Sequence, residues 1–199
     1  MTAPAGDDGV APQPEMLRTE RLTLRRWREA DLEPFRRINA DPEVMRFLVG
    51  TQTPEASDAS ARRLMGFAES DGLGPWAVEV PGEAPFVGFV GCWPTRPQLP
   101  FAPAIEVGWR LDRAVWGRGY APEAARAALA DAFGRARVPE VVAYTAAGNA
   151  PSRQVMAKLG MRHDPAEDFD HFMYAADDPH RRCVVYRLSA GAFQGLSGP

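Results

Sequence analysis

Cysteine is nearly absent. The 199 residues contain two, Cys92 and Cys183, far apart and in no CxxC pair. That excludes a disulfide scaffold and a cysteine-rich zinc site. Lysine is scarcer still: Lys158 is the single example among 23 basic residues. With so much Ala, Pro and Gly, this arginine bias reads as base composition and carries no mechanism. His163, His171 and His180 show no HxH or HxxxH spacing, so no metal site is expected. No apolar run approaches the roughly 20 residues that a bilayer requires, so no membrane partner is expected. A net charge of −3 argues against a general nucleic-acid binder. A GxxxxGK[ST] loop is missing too, which excludes a P-loop NTPase.

What remains is a balanced composition, 45% hydrophobic and 25% charged, enough for one well-cored domain. The start, "MTAPAGDDGVAPQPE", has neither a basic end nor an apolar stretch, so it is not a secretory signal. Its Pro, Gly, Ala and Asp predict a disordered leader over residues 1–15. The domain is expected over 16–190, a flexible tail over 191–199, and the cytoplasm as the compartment.

"RTERLTLRRW" alternates, with Leu22 and Leu24 on one face and Trp27 a further candidate there. It predicts a half-buried first strand. "READLEPFRRINADPEV" predicts a helix with Asp31 as N-cap and "NADP" as its stop. A second helix opens at Pro54-Glu55 and closes on glycine. "PWAVEV" and "APFVGFVGCW" read as strands joined by a Pro81-Gly82 turn, and "APAIEVGWRLD" as another. A helix over 122–133, a strand "EVVAYTA" and a helix "NAPSRQVMAKLG" follow. In the last, Asn149 is the expected N-cap and Gly160 the C′ stop. A strand within 161–175 and "RRCVVYRLS" end the pattern. The order β-α-α-β-β-β-α-β-α-β-β is that of an α/β (α+β) domain with a mixed sheet.

One stretch asks for more than a fold. "VWGRGYAPEAA" puts Gly117 and Gly119 directly before a good helix. Glycine allows positive φ and leaves the backbone bare, and Pro122 suits a first helical turn. Unpaired first-turn amides, backed by the helix dipole, make a site for phosphate or pyrophosphate, and Arg118 adds a cation. The competing reading is a tight βα connection. A dinucleotide fingerprint is excluded, because this turn comes late and follows a β-meander.

"IEVGWRLDRAVWGRGYAPEA", followed by Asn149-Ala150-Pro151-Ser152 and "KLGM", resembles the GNAT superfamily of acyl-CoA-dependent N-acetyltransferases. "RTERLTLR", "DPEVMRFL" and "VVYRLS" narrow the resemblance to its ribosomal-protein N-terminal acetyltransferase (Rim-type) branch, over roughly residues 17–190. The resemblance implies a mostly antiparallel sheet with helices on both faces and a splayed strand pair holding acetyl-CoA. It implies that Trp116, Gly117, Arg118, Gly119, Tyr120 and Ala121 wrap the pyrophosphate. Trp116 stands where the superfamily usually has Gln or Arg, which leaves Arg118 and the amides as ligands.

Acetyl transfer to an amine needs a proton acceptor, donors to the thioester oxygen and a proton for the departing thiolate. Glu106, a lone carboxylate in an apolar strand, is the candidate base, acting directly or through water. Partial burial would raise its pKa into a useful range. The alternative is an edge glutamate or a buried ion pair. The resemblance implies a bulge in this strand, for which Gly108 is a candidate, and cofactor contacts from the amides of Trp109, Arg110 and Leu111. The alternative is that Gly108 packs under an aromatic ring. Asn149 is first a helix cap; the resemblance adds a pantetheine contact. It also puts Ser152 near the cofactor sulfur, as proton donor or hydrogen-bond partner.

Cys92 reads as a buried structural thiol rather than an acyl carrier, and "PAEDFDH" as a solvated loop rather than an amine attractor. Trp27, Phe47 and Trp93 suit either an acceptor pocket or the core. The expected partner is a primary amine, either a protein N-terminus or a small molecule. A homodimer is compatible with the branch, although no sequence feature demands one. Two other readings stay open: a non-catalytic acyl-CoA-binding regulator, and a transferase of longer acyl groups.

Overall fold

The computed structural model describes residues 12–196. The rest of the expected leader and the end of the tail lie outside the described residues. Among those described, nine strands and six helices follow the order β1 Met16–Arg18, β2 Thr23–Arg25, α1 Leu32–Ala40, α2 Pro42–Met45, α3 Pro54–Ser70, β3 Pro75–Glu79, β4 Gly88–Pro94, β5 Ile105–Leu111, α4 Tyr120–Gly134, β6 Glu140–Ala146, α5 Ala150–Lys158, β7 Arg162–His163, β8 Phe169–Asp170, β9 Arg182–Ser189 and α6 Ala190–Leu196. The strands form one sheet in the order β1-β2-β3-β4-β5-β6-β9-β7, with β8 also on β9. Every pairing is antiparallel except β5 with β6.

Both faces are covered, which is why the central strands read as apolar runs rather than alternations. On one face Leu24, Val78, Val90, Val107 and Val141 pack against Ala124, Ala128 and Leu129 of α4. On the other, Phe89 and Trp93 meet Leu32, Phe35 and Ile38 of α1 and Ala61 and Leu64 of α3. The small residues of α4 let that helix lie close to the sheet, since alanine adds little bulk beyond the backbone.

Several local expectations are corrected. The first segment is a hairpin of two short strands, and Thr23–Arg25 is buried on both faces rather than half-buried. Trp27 lies with the second core, its ring 5.2 Å from those of Phe35 and Phe86. Asp31 does not cap α1: it closes a one-turn 3-10 helix before it. Both its carboxylate oxygens accept from Arg25, each at 2.8 Å. Asp31 also takes the Arg28 amide, at 2.7 Å, so a buried counter-charge drew its side chain away from the cap. Residues 12–15, expected outside the domain, belong to it, for Gln13 is buried and donates to the Gly74 carbonyl. Residues 191–196, expected in a flexible tail, belong to α6, and Phe193 packs against Phe133 with ring centroids 5.2 Å apart.

Helix α4 opens two residues before the expected 122, because Gly119 at φ +81° serves as its N-cap. Helix α5 ends as its sequence predicts. Gly160 takes φ +76°, its amide reaches the Ala157 carbonyl, and Met161 reaches Met156, which completes a Schellman motif. The acidic run is not a solvated loop. Glu167 pairs with Arg187, Asp168 with His163, and Asp170 with Arg181 and Arg182.

Candidate functional site

Strands β5 and β6 run parallel, yet they pair only at Ile105–Val141 and Glu106–Val142. Beyond Glu106 they part, β5 continuing to Leu111 and β6 to Ala146. The outer edge of β6 is occupied over its full length by β9. The gap is therefore open at the C-terminal ends of both strands, beside the N-terminus of α4.

The β4–β5 ladder runs without interruption from Gly88–Leu111 to Pro94–Ile105. The expected bulge at Gly108 is therefore absent. Gly108 lies under Trp93 instead, and a Cβ there would stand 2.8 Å from the indole Cη2. The flanking bonds, Thr95 N–H to Ala104 and Asp112 N–H to Val87, turn even-numbered backbone groups of β5 toward β4. By alternation the backbone groups of Trp109 and Leu111 face the gap, and those of Arg110 do not. The expectation of a cofactor contact from the Arg110 amide is corrected accordingly. The Leu111 carbonyl is already taken by the Trp116 indole at 2.9 Å, so Trp116 ties the glycine turn to the strand.

In that turn Gly117 and Gly119 adopt φ +77° and +81°. Among the described residues, none of the amides of 117–121 donates to another backbone carbonyl. These are the unpaired donors of a helix start. The Arg118 guanidinium pairs with Glu83 at 3.0 Å, both side chains about half exposed, a contact worth at most about 1 kcal/mol. One brace went unnoticed in the sequence. Glu123, in the first turn of α4, accepts from Thr19 Oγ1, from the Arg21 amide and from the Arg21 guanidinium. Arg21 Nη1 in turn donates to the Arg118 carbonyl at 2.9 Å. The hairpin β1–β2 thus fixes the glycine turn from outside, through residues about 100 positions away.

Glu106, Gly108 and Arg110 share one face of β5 and line a cavity of about 290 Å³. Its walls include Phe47, Arg63, Trp93, Arg96, Tyr144, Thr145, His171 and Tyr174. Of the three aromatic residues weighed for an acceptor pocket, Phe47 and Trp93 line it and Trp27 does not. Burial lifts the Glu106 carboxyl to about 7, with Trp93 and the charges of Arg63 and Arg96 pulling the other way. Burial also raises the phenols of Tyr144 and Tyr174, the latter to about 12, so both keep their protons at neutral pH. Neither tyrosine stood out in the sequence: Tyr144 comes from β6, and Tyr174 from the segment between β8 and β9, its hydroxyl donating to the Phe47 carbonyl at 3.2 Å. Burial lowers the His171 imidazole, which keeps it neutral in its stack between Tyr144 and Phe172.

Asn149 is a helix cap, as its sequence suggests: Oδ1 accepts from the Ser152 amide at 3.2 Å, and Nδ2 donates to Thr145 at 2.8 Å. Asn149 and Ser152 stand at the start of α5, behind Thr145, and do not line the Glu106 cavity. Cys92 and Cys183 are both buried, and burial pushes the Cys92 thiol well above its ordinary range. A thiol held protonated in the core is no nucleophile.

Residues 21–162 match the sequence profile of the family described as the acetyltransferase (GNAT) domain. The chain belongs to the GNAT acetyltransferase family. Its relatives include the uncharacterized protein YkkB of Bacillus subtilis, 32% identical over 73% of this chain and 84% of that one. They also include the FsC-acetyl coenzyme A-N(2)-transacetylase of Aspergillus fumigatus, 34% identical over 74% of this chain. The match spans 65% of that relative's length. Among solved structures, an acetyltransferase from Agrobacterium tumefaciens superimposes with TM-score 0.72 at 28% identity, over 92% of this chain and 99% of the other. Mycobacterium smegmatis RimJ, in complex with CoA-disulfide, shares the fold with TM-score 0.66 at 19% identity, over 88% and 89% of the two chains.

GNAT membership makes this chain a transferase that draws its acetyl group from acetyl-CoA. The residues present fit that ligand. The free amides of the glycine turn suit a pyrophosphate. The gap-facing N–H and C=O of Trp109 suit the amides of an extended pantetheine arm, paired as one more strand would be.

Proposed function

We propose that this acetyltransferase is of the Rim type and moves the acetyl group to a primary amine by direct attack, in the cytoplasm. The observation that carries the reading is the place of Glu106. It is the last residue at which β5 and β6 pair, and its carboxyl opens into the cavity at the inner end of the gap. The N(2)-transacetylase name of the fungal relative supports nitrogen as the acceptor atom. Either a small amine or a protein N-terminus meets that requirement.

Bound acetyl-CoA supplies the acyl group as a thioester. The chain supplies the rest. Gly117, Arg118, Gly119, Tyr120 and Ala121 hold the pyrophosphate through backbone amides, with Trp116 anchoring the turn. Trp109 orients the pantetheine arm along β5. Glu106, ionised, takes the proton that the amine loses as the N–C bond forms, directly or through a water. As the C–S bond breaks, the Ser152 hydroxyl hydrogen-bonds the sulfur, or protonates it and regains a proton from solvent. No covalent enzyme intermediate is required, and the buried Cys92 provides none.

Calorimetric titration with acetyl-CoA and coenzyme A tests this, on the native chain and on Gly119→Trp. At φ +81° a tryptophan is strained, and its Cβ would meet Arg21 Nη2 at 3.4 Å. Binding in about the micromolar range by the native chain, lost in the variant, supports the assignment. An amine screen read by thiol release then tests transfer. Absence of binding by the native chain refutes the proposal.

A further inference from the structure

The cavity beside Glu106 holds a charge that the transfer chemistry does not use. The Arg110 side chain points onto the same face of β5 as Glu106. Its guanidinium packs against the touching rings of Phe35 and Phe89, 5.8 and 5.7 Å from their centroids. Nη1 donates to the neutral Asn39 amide oxygen at 2.5 Å. Among the described residues, the buried Nε has no partner and nothing accepts from Nη2. The Nε–Nη2 edge is the side of a guanidinium that offers two parallel N–H groups, the geometry that fits a carboxylate.

A buried cation normally has a counter-ion, because desolvation without one is costly. Arg110 has none among the described residues, and burial accordingly depresses its pKa. The other charged groups on the cavity wall are Arg63, Arg96 and Glu106. Neither Arg63 nor Arg96 forms an ion pair among the described residues. Three guanidinium groups thus face one carboxylate inside a protein whose net charge is −3. A bare amine, itself a cation in water, is poorly served by such a cavity. Asn39 is itself fixed, donating to the buried Ser57 at 2.8 Å, so the edge of Arg110 is held ready rather than free to swing.

We infer that the acceptor is a small primary amine carrying a carboxylate, which Arg110 clamps through its free Nε–Nη2 edge while the amine faces Glu106. The inference rests on the transferase reading for the role of Glu106, but the carboxylate site stands on its own geometry. Glu106 and Arg110 are four residues apart on one strand face, about 13 Å between Cα atoms at the usual rise. The Arg110 guanidinium stands beside Phe89 and the Asn39 amide, and the cavity of about 290 Å³ leaves room for a molecule of amino-acid size. Arg63, on α3 above the cavity mouth, adds to the field that draws the anion in.

The test compares matched amines, phenylalanine with phenethylamine and β-alanine with propylamine, by thiol release from acetyl-CoA. The wild type is expected to show at least a tenfold lower KM for the carboxylated member of one pair. Arg110→Gln is expected to reduce that ratio to below threefold, and Arg110→Lys to restore part of it. Arg63→Ser, an exposed change, is expected to lower the ratio by a smaller factor. A wild type that treats both members of each pair alike overturns the inference and leaves the transferase reading intact. Calorimetry with the products separates the two further, since product binding needs no turnover. Binding of N-acetylphenylalanine or N-acetyl-β-alanine but not of the uncharged acetamides, weakened tenfold in Arg110→Gln, supports the site even if no amine is turned over. Binding of neither carboxylated product, or equal binding of the acetamides, overturns it.

Discussion

Replacing Glu106 by glutamine separates burial from chemistry in one variant. In the native protein the carboxyl titrates near 7, up from an ordinary 4.5. Between those values the folded state holds a proton that the unfolded state has lost. Stability therefore falls as pH rises through this window, because ionising the buried group disfavours the fold. A rise of about 2.5 units corresponds to about 3 kcal/mol, fully present below pH 4.5 and fully lost above about pH 7. Glutamine has no such titration. Urea denaturation at pH 5 and at pH 8 should show the Gln variant gaining about 2–3 kcal/mol on the wild type between the two, since part of the effect is already lost at pH 5. Activity should move the opposite way. Wild-type kcat/KM should climb with unit slope to a plateau above about pH 7, as the base ionises. The variant should fall about 100-fold or more at pH 8 and lose that ascending limb. A stability difference that stays constant from pH 5 to pH 8 would falsify the burial argument. An unchanged pH–rate profile in the variant would remove Glu106 from the role of base.

Asp31→Asn should unfold readily. It breaks a bidentate pair whose side chains are 5% and 4% exposed, and such a loss costs about 3–5 kcal/mol. Arg25 also donates to Glu79 at 3.0 Å and to the Pro85 carbonyl at 2.5 Å, and a measured cost below about 1 kcal/mol would mean that these alone satisfy it. Gly108→Ala should raise the KM for the amine several-fold while leaving coenzyme A affinity within about twofold, because its Cβ would press Trp93 into the cavity. Equal damage to both ligands would place Trp93 in the cofactor groove instead.

The elements that could be read from the sequence are those whose cause is local. Gly117 and Gly119 announce a bare turn, Asn149 and Gly160 mark both ends of α5, and Glu106 stands out among apolar neighbours. What escaped the sequence depends on distant segments meeting. Asp31 looks like a cap until Arg25 is placed beside it. Gly108 leaves a bulge and an overlying aromatic ring both open, and only the placing of Trp93 decides for the ring. Arg110 looks like an ordinary strand residue, and only the approach of α1 with Phe35 and Asn39 makes it a buried cation. The brace from Arg21 to Glu123 and Arg118 joins residues about 100 positions apart, with no pattern in the chain to suggest it.

The place of β9 has a consequence for how the protein comes into being. Cys183 to Ser189 pair with the whole of β6, from Ala146 back to Glu140, yet they are made after all the other described strands of the sheet. Until they leave the ribosome, β6 has an open edge along its full length and its neighbour β5 meets it at only two positions. An exposed apolar edge of that kind is a template for wrong partners. A nascent chain halted near residue 180 would carry the glycine turn, Glu106 and Arg110, and still lack the strand that covers the outer edge of β6. Chaperone capture should peak at that length and end with the synthesis of β9.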